Sequence, residues 1–322
     1  MSETVVAVDI GGTHARFAMA KVAGGRVLSL GEATTLHTAH HASFQSAWEA
    51  FARQEGGVPR SVAIAVAGPV RGEVIRFTNN PWLIRPALIG EKLHVDRYVL
   101  VNDFEAVGHA VAQADASYFE RLSGPDEPLP ATGTISIIGP GTGLGVAHIW
   151  RDGSDYRVQA TEGGHIDFAP LDSIEDAILT RLRERHRRVS VERVVSGPGI
   201  VDIYETLAAL EGRPVASLDD RTIWTMAMSG DDSLAAAAAD RFCLSLGSVA
   251  GDLALAQGAG GVVIAGGLGL RIRDSLVRSG FPERFIAKGR FENLMASLPV
   301  KLITHPQPGL FGAAAAFARD YR

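Results

Sequence analysis

The chain opens with two apolar runs that a short polar turn separates. Residues 5–8 and 16–20 have the composition of buried strands, and the segment between them, residues 9–13, reads D-I-G-G-T. This pattern predicts a tight hairpin, and a glycine pair alone indicates no more than a turn. The same turn would also let a phosphate approach bare backbone, with Thr13 as a donor and with Asp9 holding Mg²⁺ through water.

A second copy of this pattern lies in the other half of the chain. Residues 135–149 again run from an apolar strand through a glycine–threonine turn to an apolar strand, and Gly141 lies 129 residues beyond Gly12, since 141 − 12 = 129. Two further apolar runs, residues 62–68 and 262–269, end in glycine, one in each half. The repetition predicts a duplicated α/β fold with two opposed hairpins.

Three segments between these strands have the signals of helices. We predict one helix over residues 104–113, one in which Ile174, Ile178 and Leu182 recur every fourth residue, and a long one over residues 231–258. The strands and helices therefore alternate, as in α/β proteins.

Length, composition and charge fit this picture. A chain of 322 residues, 46% hydrophobic and 21% charged, suits a globular protein of about two domains. The net charge of −5 argues against a nucleic-acid partner. The one arginine-rich segment, residues 181–188, follows the predicted apolar stripe and is expected to be a solvated helix face.

Cysteine usage and the absence of long apolar runs indicate the cellular compartment of the protein. Cys243 is the only cysteine, which excludes an intramolecular disulfide and a cysteine-cluster zinc site, and a reducing cytoplasm fits. The first residues lack the basic segment of a secretory leader, and no apolar run approaches the roughly 18 residues that span a bilayer. We therefore expect a cytoplasmic protein.

Two glycine hairpins facing each other across a cleft could hold the phosphate chain of a nucleotide from opposite sides. No G-x-x-x-x-G-K-[ST] motif occurs, which excludes a P-loop, and residues 139–145, G-P-G-T-G-L-G, lack the spacing of the dinucleotide motif G-x-G-x-x-G. The pattern thus favours phosphoryl transfer.

Phosphoryl transfer to a hydroxyl uses an acid that accepts or orients the hydroxyl proton. Asp103 follows the apolar run of residues 99–101 and is our candidate for this base. As an alternative, Asp103 caps a helix that begins at Phe104. The two roles are compatible, because a strand-to-helix junction opens into the cleft.

Acids and amides that bridge neighbouring hydroxyls would hold a polyhydroxyl acceptor. Glu162 and His165 lie on a segment that two glycines make irregular, and Glu192 precedes another glycine turn. A metal site is disfavoured, since one histidine and no cysteine lie close by. On spacing alone, Glu192 could be a surface residue.

Several segments together make the chain resemble the bacterial ATP-dependent glucokinases of the hexokinase/actin-like superfamily, in the branch without a cysteine-rich zinc motif. The resemblance covers nearly the whole length. Its segments are D9-I-G-G-T-H-A-R16, N102-D-F104, G141-T-G-L-G-V-A-H148, residues 162–170 (EGGHIDFAP), E192-R-V-V-S-G-P-G199, I264-A-G-G267, K288-G-R-F291 and H305-P-Q-P-G-L-F-G312.

The resemblance implies a role for each candidate residue. Five residues would contact the sugar, with Asp103 also as the base: Asn102, Asp103, Glu162, His165 and Glu192. Two turns would hold the ATP phosphates, with Asp9 also holding Mg²⁺: Asp9, Gly11, Gly12 and Thr13 in the first, and Gly141, Thr142 and Gly143 in the second. Gly266 and Gly267 would lie near the adenosine.

The same resemblance implies a duplicated actin/hexokinase-like, or ribonuclease H-like, α/β fold with two domains flanking a cleft. Residues 1–113 and 309–322 would form the small domain, residues 114–308 the large one, and the protein would be a homodimer. Two departures from the family pattern stand out. His14 replaces the asparagine of D-x-G-G-T-N-A-R, and Asn80-Pro81 alters T-N-H-x-W, with expected effects on the phosphate hairpin and the sugar pocket.

The expected activity is transfer of the γ-phosphoryl group of Mg-ATP to the 6-hydroxyl of glucose. A kinase for another hexose, such as fructose, mannose or an N-acetylated sugar, is one alternative. A sugar-binding regulator on the same scaffold and an actin-like filament protein are the others, and the candidate base and sugar residues argue against both.

Overall fold

The chain folds into two compact units. The computed structural model describes residues 2–77, 80–214 and 217–322. The first unit contains the residues up to Asp115, with Val158–Ala160 and His305–Arg322, and the second contains Ala116–Arg157 and Thr161–Thr304. The family's domain boundaries, near residues 113 and 309, stay a prediction.

The strands alternate with helices along the chain. The strands are β1 (Glu3–Ile10), β2 (His14–Ala23), β3 (Arg26–Leu30), β4 (Thr34–His37), β5 (Ser61–Val66), β6 (Ile75–Arg76), β7 (Leu83–Ile84), β8 (Arg97–Asn102), β9 (Phe119–Ser123), β10 (Thr132–Pro140), β11 (Leu144–Asp152), β12 (Asp155–Thr161), β13 (Ala259–Ile264) and β14 (Val300–Ile303).

Most helices of the second unit lie between β12 and β14. The α-helices are α1 (Phe44–Gln54), α2 (Ile89–Leu93), α3 (Asp103–Gln113), α4 (Ser173–Arg183), α5 (Gly199–Leu210), α6 (Asp220–Ser229), α7 (Ser233–Gln257), α8 (Gly266–Arg271), α9 (Arg273–Arg278), α10 (Phe281–Ile286), α11 (Glu292–Ala296) and α12 (Pro308–Asp320).

The two sheets share one topology. In the first unit the order is β3-β2-β1-β5-β8, where β1 pairs antiparallel with β2 and parallel with β5, and β5 pairs parallel with β8. In the second the order is β12-β11-β10-β13-β14-β9, where β10 pairs antiparallel with β11 and parallel with β13, and β13 pairs parallel with β14. Each sheet has a hairpin followed by two parallel strands, so the predicted duplication is confirmed.

The first sheet is buried on both faces, which explains the unbroken apolar run of β1. Val6 and Val8 belong to one cluster with residues of α1, whereas Val5 and Ala7 belong to another with α12. The side of α12 that meets the sheet is mainly alanine, and alanine allows a helix to approach closely. One larger core, built around β10, β13 and α7, holds the second unit together.

The predicted helices are present, with shifted ends. The long helix begins after Asp232, whose side chain accepts from the Ala235 N–H, and ends at Gly258 with φ of 61°. Residues 174, 178 and 182 lie in α4, which ends before the last arginines of the 181–188 segment. Within the described ranges, the structure has no helix long and apolar enough to cross a membrane.

The arginines of that segment pair with acids, and Cys243 is buried. Arg181 pairs with Glu205, and Arg185 pairs with Asp202. These pairs fit a polar helix surface better than a nucleic-acid site. Burial raises the pKa of the Cys243 thiol to about 12, so this side chain is a small core group.

The contact between α12 and α3 is so close that it requires a glycine. A Cβ on Gly312 would overlap the carbonyl oxygen of Ala106. Because backbone has to move to relieve this overlap, Gly312→Ala should destabilise the fold by about 3 kcal/mol, measured as the shift in thermal unfolding. Gly267→Ala is the control, since a Cβ there meets nothing within 4 Å. Equal melting temperatures for the two variants would contradict this packing.

Candidate active site

In the first unit, the turn between β1 and β2 is anchored through its carbonyl groups. The Thr38 hydroxyl donates to the Gly12 oxygen at 3.0 Å, and the Thr38 N–H donates to the Thr13 oxygen at 3.0 Å. The Asn80 amide donates to the Gly11 oxygen at 3.3 Å. Since a carbonyl and the next N–H point in opposite directions, the Thr13 and His14 N–H groups turn away from these anchors. The Thr13 residue is exposed, as a phosphate-binding turn requires.

The structure therefore places one family departure against this turn. Asn80 binds Gly11 through its amide nitrogen, and its amide oxygen accepts from the Trp82 N–H at 3.0 Å. The family resemblance predicts an effect of this departure on the sugar pocket, and the structure shows a contact of Asn80 with the turn between β1 and β2. His14, the other departure, lies against His37, with the ring centroids 4.4 Å apart.

Asp9 lies near the end of β1, where β2 and α12 approach its carboxylate. Arg16, opposite it on β2, approaches Asp9 Oδ2 to 3.5 Å. A Cβ on Gly309, in the first turn of α12, would lie 2.7 Å from the same oxygen. Burial raises the pKa of Asp9, and the Arg16 charge opposes this rise. The positive end of the α12 dipole also favours the ionised carboxylate.

Asp103 is the first residue of α3, and Asn102 caps this helix. The Asn102 oxygen accepts from the N–H groups of Phe104 and Glu105, at 2.8 and 3.1 Å, so the interpretation of Asp103 as the cap was wrong. The Asn102 amide nitrogen donates to the Gly68 oxygen at 3.0 Å. This cap fixes the strand-to-helix junction, and the Phe104 N–H donates to Asp103 Oδ1 at 2.9 Å.

Two effects raise the pKa of Asp103 to about 6. Burial is the larger, and the negative charge of Asp9 adds to it, while hydrogen bonds from the backbone and Asn102 oppose them. The parallel strands β1, β5 and β8 bring both acids to the same edge of the sheet. A carboxylate with this pKa accepts a proton more readily near neutral pH than an ordinary aspartate.

In the second unit, backbone bonds close the turn between β10 and β11. The Gly141 N–H donates to the Gly143 oxygen at 2.8 Å, and the Gly197 N–H donates to the Gly141 oxygen at 2.7 Å. A Cβ on Gly141 would meet nothing within 4 Å, and Thr142 is exposed. The turn is thus fixed from inside the unit and open on its outer side, like its counterpart in the first unit.

Gly266 and Gly267 begin α8, directly after β13. Gly266 has φ of 85°, and a Cβ there would lie 2.9 Å from the Pro140 oxygen at the end of β10. Gly267 is exposed, with nothing within 4 Å of its Cβ position. The pair is therefore next to the second turn in space, although far from it in sequence.

Glu192 makes a direct contact with this second turn. Its Oε2 accepts from the Leu144 N–H at 2.8 Å. A Cβ on Gly143 would overlap Oε2 and would lie 3.0 Å from Cδ of the same carboxylate. Glu192 therefore makes a specific contact with the turn and is not a freely solvated surface acid. Its position in the sequence did not reveal this contact.

Glu162 and His165 lie on the neighbouring segment, which packs on the start of β11. A Cβ on Gly164 would overlap the Leu144 oxygen. The His165 Nε2 lies 3.9 Å from Glu162 Oε2, and both side chains are largely exposed, at 55% and 82%. Arg188 donates to the His165 oxygen at 2.6 Å, which ties this segment to the chain before Glu192.

Each unit thus assembles a part of the predicted set. Asp9, the first turn, Asn102 and Asp103 come together in the first unit, and the second turn, Glu162, His165, Glu192 and the Gly266 pair in the second. Among the residues that the structure describes, no group of three or more His, Cys, Asp or Glu residues could hold a metal ion by itself. Arg16 and Gly309 were not assigned roles from the sequence, although both lie in the quoted family segments.

The chain is similar to known proteins over nearly its whole length. A family model described as Glucokinase matches residues 6–320. A glucokinase of Zymomonas mobilis is 64% identical over 318 residues, 98% of each chain. The crystal structure of a glucokinase from an Antarctic psychrotroph has a TM-score of 0.86 at 33% identity and covers 98% of each chain. A Balamuthia mandrillaris glucokinase in complex with glucose has a TM-score of 0.76 at 21% identity, covering 99% of this chain and 94% of its own, which supports the fold.

The raised pKa of Asp103 predicts that its ionised form lowers the free energy of unfolding at neutral pH. Between the usual value of 3.8 and about 6, the folded chain binds more protons than the unfolded chain, so stability falls as the pH rises through this window. Asp103→Asn keeps an oxygen for the Phe104 N–H and removes the charge. We expect this variant to be more stable than the wild type by about 2 kcal/mol at pH 7.5, with the gain lost below about pH 4.

Denaturant unfolding at the two pH values measures this difference. Asp115→Asn, at an exposed position just after α3, is the matched control and should show no such gain. A less stable Asp103→Asn variant at pH 7.5 would contradict the electrostatic account.

Proposed function

Since the chain belongs to the glucokinase family, we propose that it transfers the γ-phosphoryl group of ATP to the 6-hydroxyl of glucose. The observation that carries this proposal is the Asp103 carboxylate, buried beside Asp9 at a strand-to-helix junction, with its pKa raised to about 6. The 64% identity to the Zymomonas mobilis glucokinase supports glucose as the acceptor.

In this proposal Asp103 is the general base. The 6-hydroxyl oxygen forms a bond to the γ-phosphorus as the bond from that phosphorus to the ADP oxygen breaks, and the hydroxyl proton passes to the Asp103 carboxylate. Phosphoryl transfer depends chiefly on positioning and charge stabilisation, so the base has to be held in place. The Asn102 cap provides this, because it fixes the first turn of α3.

The two glycine–threonine turns would bind the phosphates of ATP. Three features suit the turns to phosphate binding: an exposed threonine in each turn, carbonyl groups anchored inside each unit, and open space at the Cβ position of Gly141. Gly266 and Gly267 would lie near the adenosine, because they adjoin the second turn. The family resemblance implies this role for the two glycines, and their position beside the second turn supports it.

We propose Mg²⁺ as the cofactor, held by Asp9. Mg²⁺ prefers oxygen ligands and usually takes one or two carboxylates together with phosphates and water. Asp9 fits this chemistry, because Arg16 and the start of α12 both favour its ionised form although burial opposes it. When bound, the ion would neutralise charge on the transferring phosphoryl group.

The sugar contacts in this proposal are those that the family resemblance implies. The Asn102 amide nitrogen donates to the Gly68 oxygen and to the Asp103 carboxylate, so the sugar would contact an Asn102 side chain that is already fixed in place. Glu162, His165 and Glu192 would supply acceptors and a donor from the second unit. A cytoplasmic location and a homodimer complete the proposal, and the single buried cysteine suits the reducing compartment.

Replacement of the base tests the mechanism. Asp103→Asn cannot take the proton, so we expect turnover to fall by about 10²- to 10⁴-fold while glucose affinity stays within a few fold. ADP release measures the first quantity and isothermal titration the second. Turnover near the wild-type value would remove Asp103 from this role.

A panel of glucose, fructose, mannose and N-acetylglucosamine on the wild type identifies the acceptor, and sugar binding without ADP formation would indicate a regulator.

The pH dependence of the reaction follows from the same carboxylate. Only ionised Asp103 accepts the proton, so kcat/KM for the sugar should rise about tenfold per pH unit below about pH 6 and level off above it. The measurement is a pH profile at saturating Mg-ATP. An acid limb centred near pH 4 would show that another group limits the rate.

A further inference from the structure

The acid that the family resemblance assigns to the sugar is attached to the turn assigned to ATP. Glu192 Oε2 accepts from the Leu144 N–H at 2.8 Å, and Leu144 is the residue with which β11 leaves the Gly141–Gly143 turn. A backbone N–H that donates to a carboxylate makes a stronger bond than one between neutral groups. The position of this turn therefore depends on the Glu192 side chain.

The surrounding backbone is shaped to admit this carboxylate. Gly143 has no Cβ, and a Cβ there would overlap Oε2. On the other side, the Val191 N–H donates to the Ile166 oxygen at 2.8 Å, and the Arg193 N–H donates to the Ser190 oxygen at 3.0 Å. Glu192 is thus held in a short 3₁₀ turn that cannot slide away from Leu144 without breaking these bonds.

The second oxygen of the carboxylate is available to a ligand. Oε1 has no hydrogen-bond partner among the residues that the structure describes, and Glu192 is only half-buried. A carboxylate has about four acceptor sites on its two oxygens. One side chain can therefore bond to the turn and to a sugar hydroxyl at the same time.

We propose that Glu192 is a positioning residue for the phosphate turn, so that one carboxylate serves both substrates. This inference rests on the proposed function, because it takes the Gly141–Gly143 turn as the phosphate site. It differs from the family role of Glu192, since it predicts an effect on nucleotide binding when no sugar is present.

Three variants separate the two roles. Glu192→Ala removes the acceptor, Glu192→Gln keeps an acceptor oxygen for the Leu144 N–H, and Gly143→Ala keeps the charge but pushes the carboxylate from its place. Glu162→Ala is the matched control, because this neighbouring carboxylate is 82% exposed and its one ion-pair contact within residues 2–77, 80–214 and 217–322 is with His165. Titration with a non-hydrolysable ATP analogue and Mg²⁺, without sugar, is the measurement, and a separate glucose titration follows each variant.

We expect Glu192→Ala and Gly143→Ala to weaken binding of the ATP analogue by about five- to tenfold, the loss expected for one hydrogen bond. Glu192→Gln should stay within about twofold of the wild type, and Glu162→Ala should weaken only the glucose affinity. Wild-type analogue affinity in both Glu192→Ala and Gly143→Ala would overturn the proposal. If the wild type itself binds no ATP analogue, the proposed function fails instead, so the two failures are distinguishable.

Discussion

Two carboxyl groups of the first unit, those of Asp9 and Asp103, are buried within electrostatic reach of each other at one edge of a parallel sheet. Burial opposes ionisation at both sites, the negative charge of Asp9 adds to this at Asp103, and the two sites have different compensating groups. Asp9 has Arg16 and the start of α12 to support its charge. Asp103 has only local hydrogen bonds and keeps a pKa near 6. Burial thus raises the pKa of both acids, with Arg16 opposing the rise at Asp9, and the value near 6 suits Asp103 to the gain and loss of a proton near neutral pH.

In the proposed function the duplicated turns meet a different constraint, which is to bring backbone close to an anion without side chains in between. In the first unit Thr38 and Asn80 bind the carbonyl groups of the turn, and in the second the Gly197 N–H does so. The partners differ between the two copies, yet both turns are fixed from within their own unit. The duplication thus preserved the direction of the backbone rather than the residues that hold it.

Much of the fold could be predicted because it follows from local patterns. The apolar runs before each turn, the Asp232 cap and the glycine at 258 are all readable along the chain. The helix after β8 shows the limit. Asn102 and Asp103 are both good caps, and only the bonds from the Phe104 and Glu105 N–H groups decide for Asn102. The contact of Glu192 with Leu144 joins positions 48 residues apart, so spacing along the chain carries no signal of it.

Helix α12 has direct contacts with the elements that carry both acids. Gly309 lies against the Asp9 carboxylate, and three residues later Gly312 lies against the Ala106 oxygen of α3, the helix that begins with Asp103. Residues three apart lie on the same side of a helix, so one face of α12 meets both elements. Since neither contact leaves room for a Cβ, α12 cannot shift relative to one acid without straining its contact near the other. A helix far along the chain from both acids therefore packs tightly against both elements that carry them.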